Sequence, residues 1–142
     1  MSHPLAIEHE AVYPHSPERV WRALVEPSEL AEWLMPTNFE PDVGRIFVLE
    51  TGDAQVGTIE GEVLEIDEPR LLRCRWSGVF GDTEVTFELS PEADGTRMRV
   101  RHDGWSDPPA AERAGFDDGW KQKLDQDIPR VLSSTNGKDV SR

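Results

Sequence analysis

The chain has one cysteine, no long apolar run and a shortage of basic residues. Because Cys74 is the only thiol among 142 residues, no intrachain disulfide can form and no metal site can rest on several thiolates. No stretch approaches the ~20 apolar residues that a transmembrane helix needs. The N-terminal sequence lacks a basic start followed by an apolar segment, so we expect no signal peptide and a cytoplasmic location.

The charge balance limits the possible partners. With 15 Lys and Arg against 28 Asp and Glu, the net charge is -13, which would repel nucleic acids and an anionic bilayer surface. The four histidines are too scattered for metal-ligand spacing, and no phosphate-binding loop or nucleophile motif is present. We therefore expect no metal, no cofactor, no catalytic residue, no nucleic-acid partner and no membrane span.

The N-terminal third reads as one strand followed by two short helices. Alternation of apolar and polar residues predicts a strand over 5–13. Ser16 can accept a backbone hydrogen bond as the N-cap of a helix that starts at Pro17. Pro27 should end this helix, since the residue before a proline avoids the α region, and Ser28 is the expected cap of a second short helix.

The rest of the chain reads as a strand meander closed by one long helix. Short turns, which favour antiparallel pairing, separate five predicted strands, over 44–50, 57–67, 70–76, 82–90 and 95–103. Apolar residues recurring about every four positions predict a helix over 108–134, with a kink at Pro129. We expect a single domain over 1–142 with a flexible tail at 135–142.

Strand parity gives this sheet an apolar face and a charged face. Cys74 shares its face with Leu72 and Trp76, which predicts an inward thiol that reacts slowly. On the opposite face Arg and Glu alternate between neighbouring strands, as in a cross-strand ladder exposed to solvent. The predicted outer residues are Arg73, Arg75, Glu84, Glu88, Arg97, Arg99 and Arg101.

Several stretches, taken in order, resemble the START-like (SRPBCC) superfamily of helix-grip proteins. The most similar subgroup is that of proteins related to the C-terminal domain of the activator of Hsp90 ATPase. The matching stretches run from Pro17-Glu18-Arg19-Val20-Trp21-Arg22-Ala23-Leu24 through Glu32-Trp33-Leu34, Gly61-Glu62-Val63-Leu64-Glu65-Ile66, Pro69-Arg70-Leu71-Leu72, Val85-Thr86-Phe87-Glu88-Leu89 and His102-Asp103-Gly104 to Gly119-Trp120.

The resemblance implies an α+β, helix-grip fold. In this fold a curved antiparallel sheet of about six strands wraps around a long C-terminal helix, with two short helices after the first strand. The function that it implies first is non-catalytic binding of a small hydrophobic or aromatic ligand between sheet and helix. A cyclase- or hydrolase-type enzyme using the same cavity and a co-chaperone-like interaction domain are alternatives. The activator contacts its chaperone through a separate N-terminal domain, for which we expect no room here.

Aromatic and apolar residues with inward parity are the candidate ligand-binding residues. Each is either cavity lining or ordinary core, and His102 is the convergent polar group among them, either structural or able to orient a ligand. Glu65 would pair with His102 if it also faced inward, although Leu64 and Ile66 compete for the apolar face and suggest a bulge. The candidates are Trp33, Phe47, Trp76, Phe87, Met98, His102, Trp105, Phe116 and Trp120.

Overall fold

The computed structural model describes residues 7–52, 54, 57–78, 81–103 and 110–133. The elements are strand β1 (Ile7–Tyr13), helices α1 (Pro17–Val25) and α2 (Pro27–Trp33), strands β2 (Ile46–Glu50), β3 (Thr58–Asp67), β4 (Leu71–Gly78), β5 (Gly81–Glu92) and β6 (Gly95–Asp103), and helix α3 (Ala110–Gln122). A π-helical turn, Lys123–Asp127, follows α3, and residues 128–133 are again α-helical. We call 110–133 the C-terminal helix.

All six strands form one curved antiparallel sheet in the order β1-β6-β5-β4-β3-β2. The five later strands form a meander, and β1 pairs with β6 along its whole length, from Ile7 opposite His102 to Tyr13 opposite Thr96. The C-terminal helix packs across the apolar face, where Trp120 lies against rings of β4 and β5. This is the predicted α+β helix-grip architecture, and the first strand, the meander and the two short helices are confirmed.

A single proline boundary defines both short helices. The Ser16 hydroxyl accepts from the Arg19 backbone N–H at 3.2 Å, which confirms the predicted cap. Glu26 has extended backbone angles and ends α1. The prediction that Ser28 caps α2 is wrong, because Pro27 occupies the first helical position and Glu26 is the cap residue. Proline's fixed φ suits that first position, so the helix begins two residues earlier than expected.

A buried ion pair fastens these helices to the end of the C-terminal helix. Arg19 donates to the Glu29 carboxylate at 3.0 Å, and both side chains are almost fully buried. A second Arg19 nitrogen donates to the Val131 carbonyl at 3.4 Å. One guanidinium therefore holds α1, α2 and the last turn of the chain's longest helix together.

A bulge in β3 decides where Glu65 points. The β3–β4 register shifts between Val63 and Glu65, which leaves Leu64 as the extra residue. Glu65 therefore lies on the outer face, where it accepts from Arg73 at 3.3 Å. The predicted bulge is confirmed, but an inward Glu65 paired with His102 is wrong, because one inserted residue reverses the parity that follows it.

The outer face of the sheet is the predicted ladder of charges. Arg73 bonds to Glu84 at 3.0 Å, and Arg97 bridges Glu10 at 2.9 Å and Glu92 at 2.7 Å. The seven residues predicted for this face are all half-buried or exposed. Such exposed pairs each contribute about 0 to 1 kcal/mol to the free energy of unfolding. Their main effect is that this face of the sheet stays exposed to solvent while apolar residues occupy the opposite face.

The C-terminal helix is irregular beside Pro129, and β1 compensates for the irregularity. The Ile128 N–H bonds to the Lys123 carbonyl, five residues back, so it is not available to the Leu124 carbonyl as in an α-helix. Pro129 has no N–H to replace it. The buried Tyr13 hydroxyl donates to the Leu124 carbonyl at 2.7 Å. The expected kink thus takes the form of a π turn whose freed carbonyl is satisfied from the sheet.

We expect Tyr13→Phe to lower the free energy of unfolding by about 1 to 3 kcal/mol, because it leaves the buried Leu124 carbonyl without a donor. Thr51→Val is the control, since it deletes a hydroxyl donor at the exposed Gly57 carbonyl, where water can substitute. Urea denaturation measures both. Equal stability of Tyr13→Phe and the wild type would show that the π turn does not depend on β1.

The thiol of Cys74 should react slowly in the folded protein. Its side chain is buried, and burial raises the pKa of the thiol to about 12. Labelling with a thiol reagent at neutral pH should proceed readily in denaturant and very slowly without it. Comparable labelling rates in the two conditions would contradict the inward placement.

Candidate functional site

Six rings from five helices and strands meet between the sheet and the C-terminal helix. α2 supplies one, β4, β5 and β6 supply one each, and α3 supplies two. We call this group the aromatic cluster: Trp33, Trp76, Phe87, His102, Phe116 and Trp120. All but Phe116 are buried, so the cluster is a continuous apolar wall with one more accessible edge.

Trp120 is the centre of the aromatic cluster. Its ring stacks on Trp76 with centroids 5.8 Å apart, and it meets Phe87 edge-on at the same separation. Trp33 lies 6.5 Å away at a tilt, and its own indole N–H donates to the Ala23 carbonyl of α1 at 2.7 Å. Stacked and edge-on aromatic pairs add about 0.5 to 1.5 kcal/mol each beyond area burial. The Trp120 ring therefore links the C-terminal helix to the sheet and to α2.

A chain of buried hydrogen bonds runs through His102. The Trp120 indole N–H donates to His102 Nδ1 at 3.1 Å. An indole nitrogen can only donate, so Nδ1 is unprotonated and the imidazole proton is on Nε2. His102 Nε2 then donates to the Thr83 hydroxyl at 2.8 Å, and that hydroxyl donates to the Trp76 carbonyl at 3.4 Å. The chain thus joins the C-terminal helix to β6, β5 and β4.

The surroundings of His102 keep its imidazole neutral. Burial lowers the pKa of this side chain from 6.5 to about 3, since a charged ring would lose its hydration in an apolar site. At neutral pH the ring is therefore a poor proton acceptor, and both of its nitrogens are already engaged. This geometry corresponds to the structural role, rather than the catalytic role, that a histidine at this position can have.

Thr83 belongs to this chain of hydrogen bonds but was not among the residues predicted from the sequence. It is buried, and it lies on β5 with the same parity as Val85, Phe87 and Leu89. That parity was a usable signal, because a threonine in line with three apolar residues needs an acceptor or donor inside the core. The strand predicted over 82–90 already included Thr83.

The three other candidate ligand-binding residues are not members of the aromatic cluster. Phe47 packs edge-on against Phe39 at 4.9 Å, on β2, two strands beyond β4. A Cβ on Gly61 would collide with the Phe47 ring, so this glycine makes room for it. Met98 is fully buried on β6, opposite Leu89. Trp105 lies outside the described residues.

The polar face of the sheet carries shallow concavities. One, of about 400 Å³, is lined by Arg75, Asp82, Thr83, Glu84 and Asp103. Another, of about 300 Å³, includes Arg97 and Arg99 in its wall. In both, cationic and anionic side chains are interleaved. The ion pairs of their arginines are made with carboxylates outside the concavity, as between Arg75 and Glu62.

The described residues contain no group of three or more His, Cys, Asp or Glu side chains placed to hold a metal ion. Within the same part of the chain, no helix is both long and apolar enough to cross a bilayer.

Acid should weaken the fold through His102. The unfolded imidazole takes up a proton below pH 6.5 but the buried one does not until about pH 3. Between these values each pH unit should therefore remove about 1.4 kcal/mol from the free energy of unfolding. Denaturation curves across this range should show a smaller slope for His102→Asn. An unchanged slope in the variant would mean that the folded imidazole takes up protons like an exposed one.

Comparisons with known proteins agree with this geometry. The chain matches the family model "Activator of Hsp90 ATPase homolog 1-like protein" over residues 14–131. No curated protein matches it. The crystal structure of MLL2253 from Mesorhizobium loti is 29% identical, with a TM-score of 0.84 over 92% of this chain and 98% of that chain. The solution structure of BH1534 from Bacillus halodurans is 25% identical, with a TM-score of 0.79 over 89% of this chain and 96% of that chain.

A third neighbour shows the fold alone. DynU16, a protein in the dynemicin biosynthetic locus, is 22% identical with a TM-score of 0.79, over 92% of this chain but 48% of that chain.

The family model extends from the residue after β1 into the last turns of the C-terminal helix. It therefore includes both short helices, five strands and the aromatic cluster. The chain belongs to the activator of Hsp90 ATPase homolog 1-like family and has its START-like, helix-grip fold.

Proposed function

We propose that the protein binds a small apolar or aromatic molecule, without changing it chemically, at the aromatic cluster between the sheet and the C-terminal helix. The observation that carries this proposal is the convergence of five Trp and Phe side chains around one neutral histidine. Ligand sites are mostly apolar, with few polar groups, and this cluster has that composition. As a further part of the proposal, the protein acts in the cytoplasm.

Phe116 is the point at which a ligand would reach the cluster. It is the half-buried member, it lies on α3, and its ring meets His102 edge-on at 5.2 Å. A planar molecule that displaced or extended this ring would contact the rings behind it. The other rings are already packed against one another, so we expect a ligand to enter beside Phe116 rather than between Trp76 and Trp120.

Chemistry of the cyclase or hydrolase type has less support in the described residues. A general base should titrate near the working pH, whereas the pKa of His102 is lowered to about 3. A nucleophilic thiol needs a low pKa, whereas burial raises that of Cys74 to about 12. Both groups support a binding role for the site over a catalytic one.

The family name favours a second candidate, a co-chaperone-like association with an Hsp90 chaperone. The direct test is the ATPase rate of the purified chaperone with and without this protein. A saturable increase would support the second candidate. An unchanged rate together with ligand binding would leave the first.

The first candidate is tested by titration with phenylnaphthylamine, a neutral aromatic probe that fluoresces when it leaves water. We expect saturable binding by the wild type and about tenfold weaker binding by Phe116→Ala, which loses an aromatic contact face. Trp120→Ala should also lose stability, by about 3 to 5 kcal/mol if its ring acts as core. Because Phe116 is only half-buried, its removal should cost less stability than binding affinity.

The control is Val43→Ala, which shortens an apolar side chain that is 66% exposed, in the turn before the edge strand β2. It should bind the probe like the wild type. If the wild type fails to bind, or if Val43→Ala weakens binding as much as Phe116→Ala, the rings are an ordinary core and the proposal is wrong.

A further inference from the structure

Among the described residues, Lys123 is a half-buried lysine without an acidic partner, in a strongly acidic protein. Acidic residues outnumber Lys and Arg by 28 to 15. Leaving Arg113 aside, every other Lys or Arg of the described residues except Arg99 has a carboxylate within 4.0 Å. Arg99 is exposed on the outer face, whereas Lys123 is half-buried on the C-terminal helix. A lysine can bury its aliphatic stem along an apolar surface and keep its charged head in water, so the unpaired ammonium is available to an anionic group.

The position of Lys123 places it beside the aromatic cluster. It follows Trp120 by three residues and Gly119 by four, and side chains at these spacings are neighbours on a helix. Gly119 is half-buried, yet a Cβ built on it would meet nothing within 4 Å. The flank of the helix that carries Gly119 and Lys123 therefore borders open space next to the ring at the centre of the cluster.

The π turn explains why Lys123 has no partner on its own helix. Asp127 is four residues away and would be its natural partner in an α-helix. Lys123 begins the π turn and Asp127 ends it, and the wider turn changes the relative direction of residues four apart. Asp127 bonds to Arg130 at 3.4 Å instead. Lys121, on the more exposed side, does pair with its partner Asp125, at 3.2 Å.

We infer that Lys123 binds the acidic head group of an amphipathic ligand whose apolar or aromatic body lies against the aromatic cluster. The ligand class is thus a small aromatic or aliphatic acid, with a carboxylate or similar oxyanion next to Gly119. This inference rests on the proposed function and adds the ligand's charge and orientation to it. His102 does not compete for the head group, because its nitrogens are bonded to Trp120 and Thr83.

Two probes with the same aromatic skeleton test the inference. Anilinonaphthalene sulfonate is phenylnaphthylamine with one added sulfonate, so the pair isolates the acidic group. Lys123→Gln should weaken sulfonate binding about tenfold, as expected for the loss of a charge-assisted hydrogen bond. It should leave the affinity for the neutral probe within about twofold. The matched control is Lys121→Gln, which removes the same charge two residues earlier on the same helix. It should leave the affinities for both probes unchanged.

The outcomes separate this inference from the proposed function. If the neutral probe binds and Lys123→Gln affects both probes equally, or neither, the head-group site is wrong and ligand binding stands. If Lys121→Gln weakens sulfonate binding as much as Lys123→Gln, the effect is that of overall charge and the inference is also wrong. If neither probe binds the wild type, the proposed function itself fails. Near-ultraviolet circular dichroism of both variants confirms that they are folded like the wild type.

Discussion

The hydrogen-bond chain from Trp120 through His102 and Thr83 to the Trp76 carbonyl is the constraint on which the inner side of this protein depends. It is the polar connection between the C-terminal helix and the middle strands of the sheet. Each member is buried, so a lost partner would leave a polar atom without hydration, at a cost of about 1 to 3 kcal/mol. The chain therefore fixes both the rotation of the helix and the depth of its central tryptophan.

A neutral histidine at this point allows the surrounding rings to be wholly apolar. If the imidazole were charged it would need a buried counter-charge, and the sheet would have to bring a carboxylate inward. Instead the β3 bulge turns Glu65 outward, and the arginines and glutamates pair with each other on the wet face. Lys123 lies away from this charged face and, among the described residues, has no carboxylate partner, and it is there that we propose a ligand's acidic group to bind.

Much of the fold was predictable because it depends on local periodicity. Alternation gave the strand faces, and the proline positions gave the helix boundaries to within a residue or two. Six of the nine candidate residues, those of the aromatic cluster, do come together. The sequence left the orientation of Glu65 open, because Leu64 and Ile66 compete with it for the apolar face. The inserted residue in β3, which reverses strand parity, decides that orientation.

Other features depend on tertiary contacts that local sequence does not specify. The pairing of Tyr13 with the Leu124 carbonyl joins positions 111 residues apart. It has meaning only once Pro129 and the π turn have freed that carbonyl. Likewise, Thr83 becomes part of a polar chain only when β5, β6 and the C-terminal helix are assembled. Phe47 has the same inward parity as the cluster residues, and only the strand order shows that it lies two strands away.

The most direct test of this account is the protonation state of the His102 ring at neutral pH, read from the nitrogen chemical shifts of the isotopically labelled protein. The account predicts a neutral ring with its proton on Nε2 and with Nδ1 as an acceptor. A proton on Nδ1, or a cationic ring, would contradict it, because Nδ1 could not then accept the Trp120 indole hydrogen bond that positions the helix.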